Sequence, residues 1–338
     1  MKVLFIGGTG VISASAASLA AARGDQVTLL TRGSHPELAP SGAELLKADI
    51  SDEEEMERLL SGRIFDAVAD FTVLKPEQAM RDISLFTGKT RQFLFISSAS
   101  AYQKPPVRYP ITESTPLRNP FWRYSRDKIA CEELFTTAYR SHGFPVTIVR
   151  PSHTYCDRKV PLPFFGGKGG WQVLSRIRLG KPVIVHGDGL TLWTFTHADD
   201  FAKGFCGLLG NPHAIGEAVH ITSDEAITWN DALESIGTAL GVKPNLVHIP
   251  SDFLAAFDPE LLGKLLGDKA YCAVFDNSKI KRLVPGFSAG IRFADGVRSS
   301  VEYYLSHPEM QVPDPEFDAW CDRVIAAHFA GIKNAQNS

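Results

Sequence analysis

A tyrosine and a lysine four residues apart, in Tyr124-Ser125-Arg126-Asp127-Lys128, fall on one face of any helix that spans them. A phenol ordinarily ionises near pH ~10, about three units too high for a base at neutral pH, and a nearby ammonium favours the phenolate. The pair suits proton exchange, with Tyr124 trading a proton with a substrate hydroxyl or carbonyl and Lys128 lowering its pKa. Ser98 ends the run Gln92-Phe93-Leu94-Phe95-Ile96-Ser97-Ser98, which reads as a strand, and its hydroxyl can hydrogen-bond the same substrate oxygen. A Tyr/Lys pair at this spacing also recurs by chance on helices. What gives it meaning is the stretch that opens the chain.

That stretch is Lys2-Val3-Leu4-Phe5-Ile6-Gly7-Gly8-Thr9-Gly10-Val11-Ile12-Ser13. Val3 to Ile6 have the apolar continuity of a buried strand, the glycines break it, and the alanine-rich segment from Ser13 to Arg23 has helical composition. A helix that begins at such a loop presents unpaired N–H groups and the positive end of its dipole, so it can hold a pyrophosphate if no side chain blocks the approach. Gly7 and Gly10 leave that space clear, and with Val11 and Ile12 they are the expected dinucleotide contacts of the turn. The third glycine position of the pattern is Ser13, small enough for close packing of helix on strand. With a dinucleotide in this loop, Lys128 also falls to holding the nicotinamide ribose.

Gln26 to Thr31 read as the second strand, whose end meets the adenosine ribose in a fold of this kind. No acidic residue stands there to favour NAD. Thr31 and Arg32 offer a hydroxyl and a guanidinium suited to a 2′-phosphate, which leans the cofactor toward NADP; the alternative is an Arg32 that stacks on adenine or faces solvent. Asp49-Ile50 end the third strand, where Asp49 either accepts from the adenine amino group or caps the helix from Asp52 to Leu60. Strands at 65–71, 92–98 and 146–151 alternate with helices, which argues for a doubly wound parallel sheet with ligands at the carboxyl ends of its strands.

Composition sets the outer limits. The 338 residues are 44% hydrophobic and 22% charged with a net charge of −3, so neither nucleic acid nor a polybasic membrane contact has an electrostatic basis. Five widely spaced cysteines without a CxxC pair suit a reducing compartment, and the ten histidines lack metal-ligand spacing, so no metal is expected. No apolar run has membrane-spanning length, and a strand starting at Val3 leaves no room for a leader, so a cytoplasmic location is expected.

The glycine loop, Asp49-Ile50, the run Phe95-Ile96-Ser97-Ser98-Ala99-Ser100-Ala101-Tyr102, the Tyr124/Lys128 set and His197-Ala198-Asp199-Asp200 together resemble the extended short-chain dehydrogenase/reductases, the NAD-dependent epimerase/dehydratase family. The likeness runs over about residues 1 to 300. It implies an α/β fold, a Rossmann domain with a smaller carboxyl-terminal substrate domain, a tightly held NAD(P) cofactor, a small-molecule substrate and often a homodimer. Ser98, Tyr124 and Lys128 match the family's catalytic triad, and Gly7, Gly10, Asp49 and Lys128 its cofactor contacts. Dehydratases of the family carry an Asp-Glu pair after the catalytic hydroxyl, where this chain has Ala99 and Ser100, so the equipment for eliminating water is missing.

Three positions on the substrate side depart from the family. His153 stands where an asparagine usually helps to bind a sugar nucleotide; it either contacts substrate or is a packed, hydrogen-bonded histidine. Trp193 and Leu265 occupy the two positions at which sugar-nucleotide epimerases grip the pyrophosphate with arginine, which turns the expectation away from a nucleoside-diphosphate sugar unless Arg158, Arg176, Arg178 or Lys269 compensates. Trp193 suits stacking on a sugar ring, or bridges the two domains structurally. Ser100, His153 and Trp193 are thus the expected substrate-side residues. The domains are expected at 1–153 with 192–222 for the dinucleotide and 154–191 with 223–332 for the substrate, with 333–338 a frayed tail and 161–171 a mobile loop over the site. The activity expected is that of an NAD(P)-dependent oxidoreductase or epimerase on a secondary alcohol or ketone of a carbohydrate-like molecule. The alternatives are a nucleoside-diphosphate-sugar epimerase and a non-catalytic dinucleotide-binding sensor.

Overall fold

The first strand sets the pattern of the core. In β1 (Lys2–Ile6), Val3 and Phe5 point to one face of a sheet and Leu4 and Ile6 to the other, and all four are buried. A computed structural model describes residues 1–337 and builds that sheet from β1, β2 (Gln26–Thr31), β3 (Glu44–Lys47), β4 (Ala67–Asp70), β5 (Phe93–Ile96) and β6 (Val146–Pro151), with a seventh strand from much later in the chain. Outside it lie β7 (His153–Tyr155), β8 (Pro182–His186), β9 (Leu192–Trp193) and β10 (Phe195–His197). The chain then returns to supply the seventh strand, β11 (Ala218–Ile221), and leaves again for β12 (Ile227–Thr228) and β13 (Asn245–Ile249). The sheet order is β11-β6-β5-β4-β1-β2-β3 and every pairing in it is parallel, the doubly wound Rossmann arrangement expected from the alternation of strands and helices.

Helices cover both faces. On one, α1 (Val11–Ala22) lays Ala16, Ala17 and Ala20 against Val3 and Phe5, its small side chains permitting close approach. On the other, Met56 and Leu60 of α2 (Glu53–Leu60), Phe86 of α3 (Pro76–Phe86) and Cys131 and Phe135 of α4 (Arg123–His142) pack against Leu4, Phe93 and Phe95. Beyond the sheet come α5 (Trp171–Arg178) and α6 (Ala198–Leu208), the latter packed on α1 through Phe201, Ala202 and Phe205. They are followed by α7 (Trp229–Ala239), α8 (Ser251–Phe257), α9 (Glu260–Lys264), a π-helical turn at Leu265–Lys269, α10 (Ser278–Leu283), α11 (Phe293–Ser306) and α12 (Pro315–Gln336). A second core joins Tyr155, Trp193, Phe195 and Trp229 to Phe293 and Val297 of α11.

The glycine loop is held by two kinds of force. Gly7 has φ +75°, and a Cβ there would lie 2.6 Å from Cγ2 of Thr72, so only glycine fits. Ser13 does more than pack closely: its hydroxyl donates to the Gly7 carbonyl at 2.7 Å and accepts from the Gly10 amide at 2.8 Å, bracketing the turn. Gly7→Ala is therefore expected to cost about 1–3 kcal/mol from strain and the clash together, read as a lowered urea midpoint at unchanged slope. A loss within a few tenths of a kcal/mol would show that the loop adapts freely.

Several sequence expectations change in detail. The stretch 192–197, read as one strand, is split at Thr194, whose hydroxyl donates to the Ala273 carbonyl at 2.6 Å while its own carbonyl accepts from Ser152 at 3.0 Å; β9 then pairs with β12 and β10 with β7. The glycine-rich segment 161–171 does not cover the site. Phe164 is buried beside Trp320 of α12, and the Lys168 amide donates to Asp314 at 3.1 Å, which ties the loop to the start of that helix. Helix α12 itself continues through Lys333 to Gln336 where a frayed tail was expected, and Ser338 lies outside the described residues. Asp52 rather than Asp49 caps α2, accepting from the Glu55 amide at 3.0 Å. Among the described residues no helix is long and apolar enough to cross a membrane, and no group of three or more His, Cys, Asp and Glu side chains could hold a metal ion.

Candidate active site

Strand β5 delivers Ser98, whose side chain caps a short 3₁₀ turn at Ala99–Ala101 by accepting from the Ser100 amide at 3.2 Å. The hydroxyls then form a line. Ser125 donates to Ser100 at 2.8 Å, and Ser100 lies 2.9 Å from Ser98 in a contact where either hydroxyl can donate; with Ser100 as the donor, the Ser98 proton is free to point onward. Helix α4 begins at Arg123 and presents Tyr124 from its first turn to the same place. Ser98, Ser100 and Tyr124 line one cavity of about 220 Å³, closed by Trp122, His153 and Trp193. The trio of Ser98, Tyr124 and Lys128 is thus brought together, although Lys128 stands behind the phenol and not in the cavity, its Nζ 5.8 Å from the Tyr124 ring centroid.

The electrostatics differ from the sequence expectation. Burial raises the Tyr124 pKa above the ordinary phenol range, with the Ser98 hydroxyl opposing and the Asp268 carboxylate adding to the rise. The Lys128 ammonium donates to the carbonyls of Val73 at 2.5 Å and Ile96 at 2.7 Å and does not offset the effect of burial on the phenol. Burial pushes Lys128 itself down to about 8, against the pull of Cys131, Asp70 and Glu132. Tyr124 is a protonated phenol at neutral pH.

On the substrate side, His153 faces the cavity with its ring against Phe195 and Trp229, and no hydrogen bond holds either nitrogen among the described residues. Burial and the charges of Lys269 and Lys159 drive its pKa well below the imidazole range, so the ring is neutral. Trp193 both borders the cavity and packs on Trp229 at 5.5 Å, with its indole N–H buried and unpartnered. Of the cations that could replace the missing arginines, Arg176 is consumed by Asp318 and Asp322 at the foot of α12, Arg178 lies over Trp171, and Lys269 is paired with Asp268.

Two residues at the site escaped the sequence reading. Lys104, 3% exposed, lines the cavity two positions beyond Tyr102; its signal was that no other cation follows the Ser98 strand before Arg108. Asn119 joins the two walls, donating to the Ser100 carbonyl at 2.9 Å and the Gly267 carbonyl at 2.6 Å while accepting from the amides of Phe121 and Trp122. It fixes the π turn, with Asp268, against the Ser98 turn.

A second groove, of about 720 Å³, runs along the carboxyl ends of β1, β2 and β3. Gly7 and Gly10 form one end, with Val11 and Ile12 as the first residues of α1, their amides at the helix N-terminus and the Ile12 side chain packed into the core. Arg32 lies at the other end, exposed and without a hydrogen bond or ion pair among the described residues. Asp49 and Ile50 line the wall between them, the Asp49 carboxylate accepting from the Ser51 amide at 2.9 Å, a bond that lowers its pKa. The open approach over Gly7 and Gly10 and the unpaired guanidinium of Arg32 fit the pyrophosphate and adenosine ends of a dinucleotide.

Comparison with known proteins agrees with this geometry. The chain is 28% identical over 292 residues to the 2′-dehydrokanamycin reductase of Streptomyces kanamyceticus, covering 85% of this chain and 80% of that protein. It is also 28% identical over 267 residues to the 41 kDa chloroplast stem-loop binding protein b of Arabidopsis thaliana, covering 75% and 67%. In fold it resembles an epimerase of Methanothermobacter thermautotrophicus with a TM-score of 0.75, at 18% identity and covering 91% and 93% of the two chains. The pattern of one family spans residues 3–222, from the first strand and its glycine turn to the end of β11. With that pattern across the whole parallel sheet, the chain belongs to the NAD dependent epimerase/dehydratase family.

Proposed function

We propose that this protein is a nicotinamide-dependent oxidoreductase that reduces a ketone on a small carbohydrate-like molecule, with Tyr124 as the proton donor. The observation that carries the reading is the meeting of Ser98 and a protonated Tyr124 in one cavity. A bound cofactor supplies the hydride. The chain supplies everything else. The amides at the start of α1 and the open space over Gly7 and Gly10 take the pyrophosphate, Asp49 and Ile50 border the adenine, and Lys128 has one ammonium proton beyond its two carbonyl partners to offer a ribose hydroxyl.

In the cavity, Ser98 donates to the ketone oxygen, with Ser100 taking the donor role in their shared contact. Tyr124 releases its proton to the same oxygen as negative charge develops there. Similarity to a 2′-dehydrokanamycin reductase supports the same direction. An epimerase of the same family uses both directions in one cycle. Steady consumption of NADPH or NADH with keto-sugars supports the reductase, whereas stoichiometric retained cofactor with interconversion of sugar epimers and no net consumption would replace it by an epimerase.

The cofactor is proposed to be NADP, because Arg32 is the unmatched cation at the ribose end of the groove while Arg81 beside it is already paired with Asp82 at 2.7 Å. Arg32→Ala is expected to weaken NADPH binding by roughly 10- to 100-fold, the scale of a charged hydrogen bond, and to leave NADH binding unchanged. Equal effects on both cofactors would remove the 2′-phosphate from the argument.

A further inference from the structure

The proposed reaction leaves one charged group in the cavity without a task. Lys104 is 3% exposed and lines the cavity that holds Ser98 and Tyr124, yet among the described residues its ammonium makes no hydrogen bond and no ion pair. Its main chain is fixed, the amide donating to the Arg118 carbonyl at 2.8 Å. An ammonium this deep without a counter-ion is strongly disfavoured, and proteins rarely keep one without a reason. The carboxylate that faces it, Asp268, is already paired with Lys269 at 3.1 Å. Burial lowers the Lys104 pKa, Asp268 opposes, and Lys269 adds to the fall. The cavity wall thus carries the Lys104 ammonium and the Asp268 carboxylate, and of the two lysines beside that carboxylate Lys104 is the one without an ion pair.

We propose that Lys104 is the anchor for a carboxylate on the substrate, so that the molecule reduced is a hydroxylated keto acid or sugar acid of about one ring. The assignment takes from the proposed function only that this cavity is the substrate site. A single unmatched cation balances a single negative charge, whereas a phosphate monoester carries nearly two and calls for more donors than one ammonium offers. The volume agrees. About 220 Å³ is less than the ~300–1,000 Å³ of pockets that enclose a larger ligand, and Trp122 and Trp193 give a ring two aromatic walls. A substrate bearing an ammonium group at this position meets a like charge and is rejected.

The test uses three sugars that differ mainly in charge, D-glucuronate, D-glucose and D-glucosamine, titrated by ligand-observed NMR into the full-length protein with NADPH present. Wild type is expected to bind glucuronate roughly 10- to 100-fold more tightly than glucose, and glucosamine no better than glucose. Lys104→Met removes the preference, so that glucuronate and glucose bind it equally, and Tyr124→Phe keeps it. The midpoint of thermal unfolding of Lys104→Met should equal or exceed that of wild type, because the change relieves a buried charge. Equal binding of glucuronate and glucose by wild type, a preference that survives Lys104→Met, or a Lys104→Met protein clearly less stable than wild type each overturns the proposal. The two readings separate cleanly. A Lys104-dependent preference without turnover of any ketone leaves the carboxylate site standing and removes the reductase, and turnover of neutral ketoses without the preference does the reverse.

Discussion

Replacing Tyr124 with phenylalanine is expected to abolish turnover, lowering kcat by at least ~10²–10⁴-fold, the range a positioned proton donor contributes, while NADPH binding stays within about twofold of wild type. The change deletes one oxygen from a ring packed at 4.8 Å on Trp122, so the wall of the cavity keeps its shape. Neither Ser98 nor His153 replaces the lost proton. Ser98 can still polarise the substrate oxygen, but an aliphatic hydroxyl does not release its proton at neutral pH. His153 is held neutral and cannot serve as the acid without first gaining a proton that its surroundings disfavour. Kinetics on the purified variant, beside a direct binding measurement for the cofactor, decide the matter. Turnover within tenfold of wild type would remove Tyr124 from the chemistry.

The second large effect is one of stability. Glu132 of α4, 3% exposed, accepts two hydrogen bonds from Arg150 of β6, at 2.9 and 2.5 Å, and one from the Ser97 hydroxyl at 2.5 Å, so three elements that frame the cavity meet on one carboxylate. Arg150 also lies 4.8 Å from the centroid of the Tyr102 ring, and the Tyr102 hydroxyl is 3.0 Å from Nδ1 of His220 on β11. Glu132→Ala strands the guanidinium in the core and is expected to cost about 3–5 kcal/mol, a large share of the ~5–15 kcal/mol that holds a domain together. Replacing both partners at once, Glu132→Leu with Arg150→Met, should recover much of that loss, because the desolvation of two charges disappears with them. Urea unfolding of the single and double variants measures both quantities. A single-variant loss below about 1 kcal/mol would mean that solvent reaches the pair.

The parallel sheet and its glycine turn were legible because both are written in local sequence: a four-residue apolar run, a glycine where φ is positive, and small residues where a helix lies on the sheet. Ser98, Tyr124 and Lys128 were legible because strand end and helix face are fixed by short-range periodicity. The pKa order was not. Whether the Tyr124 pKa ends above its ordinary range depends on how deeply the phenol is buried, and Asp268, which adds to the rise, lies far from it in sequence. Lys104 and Asn119 were missed for a related reason: their importance comes from walls contributed by residues near Gly267 and Asp268, which only the folded chain brings to them. The segment 161–171 shows the converse error, since a composition rich in glycine and proline says nothing about an aromatic anchor such as Phe164.

The seventh strand bears on how the molecule is made. Strand β11 completes the sheet beside β6, yet the ribosome releases it only after the whole passage through β7, β8, β9 and β10 has been synthesised. Until then the outer border of β6 offers unsatisfied amides and carbonyls to any extended peptide nearby. A nascent chain stalled before Ala218 is accordingly the sticky species, and a chaperone that shields a bare strand rim would act in that interval.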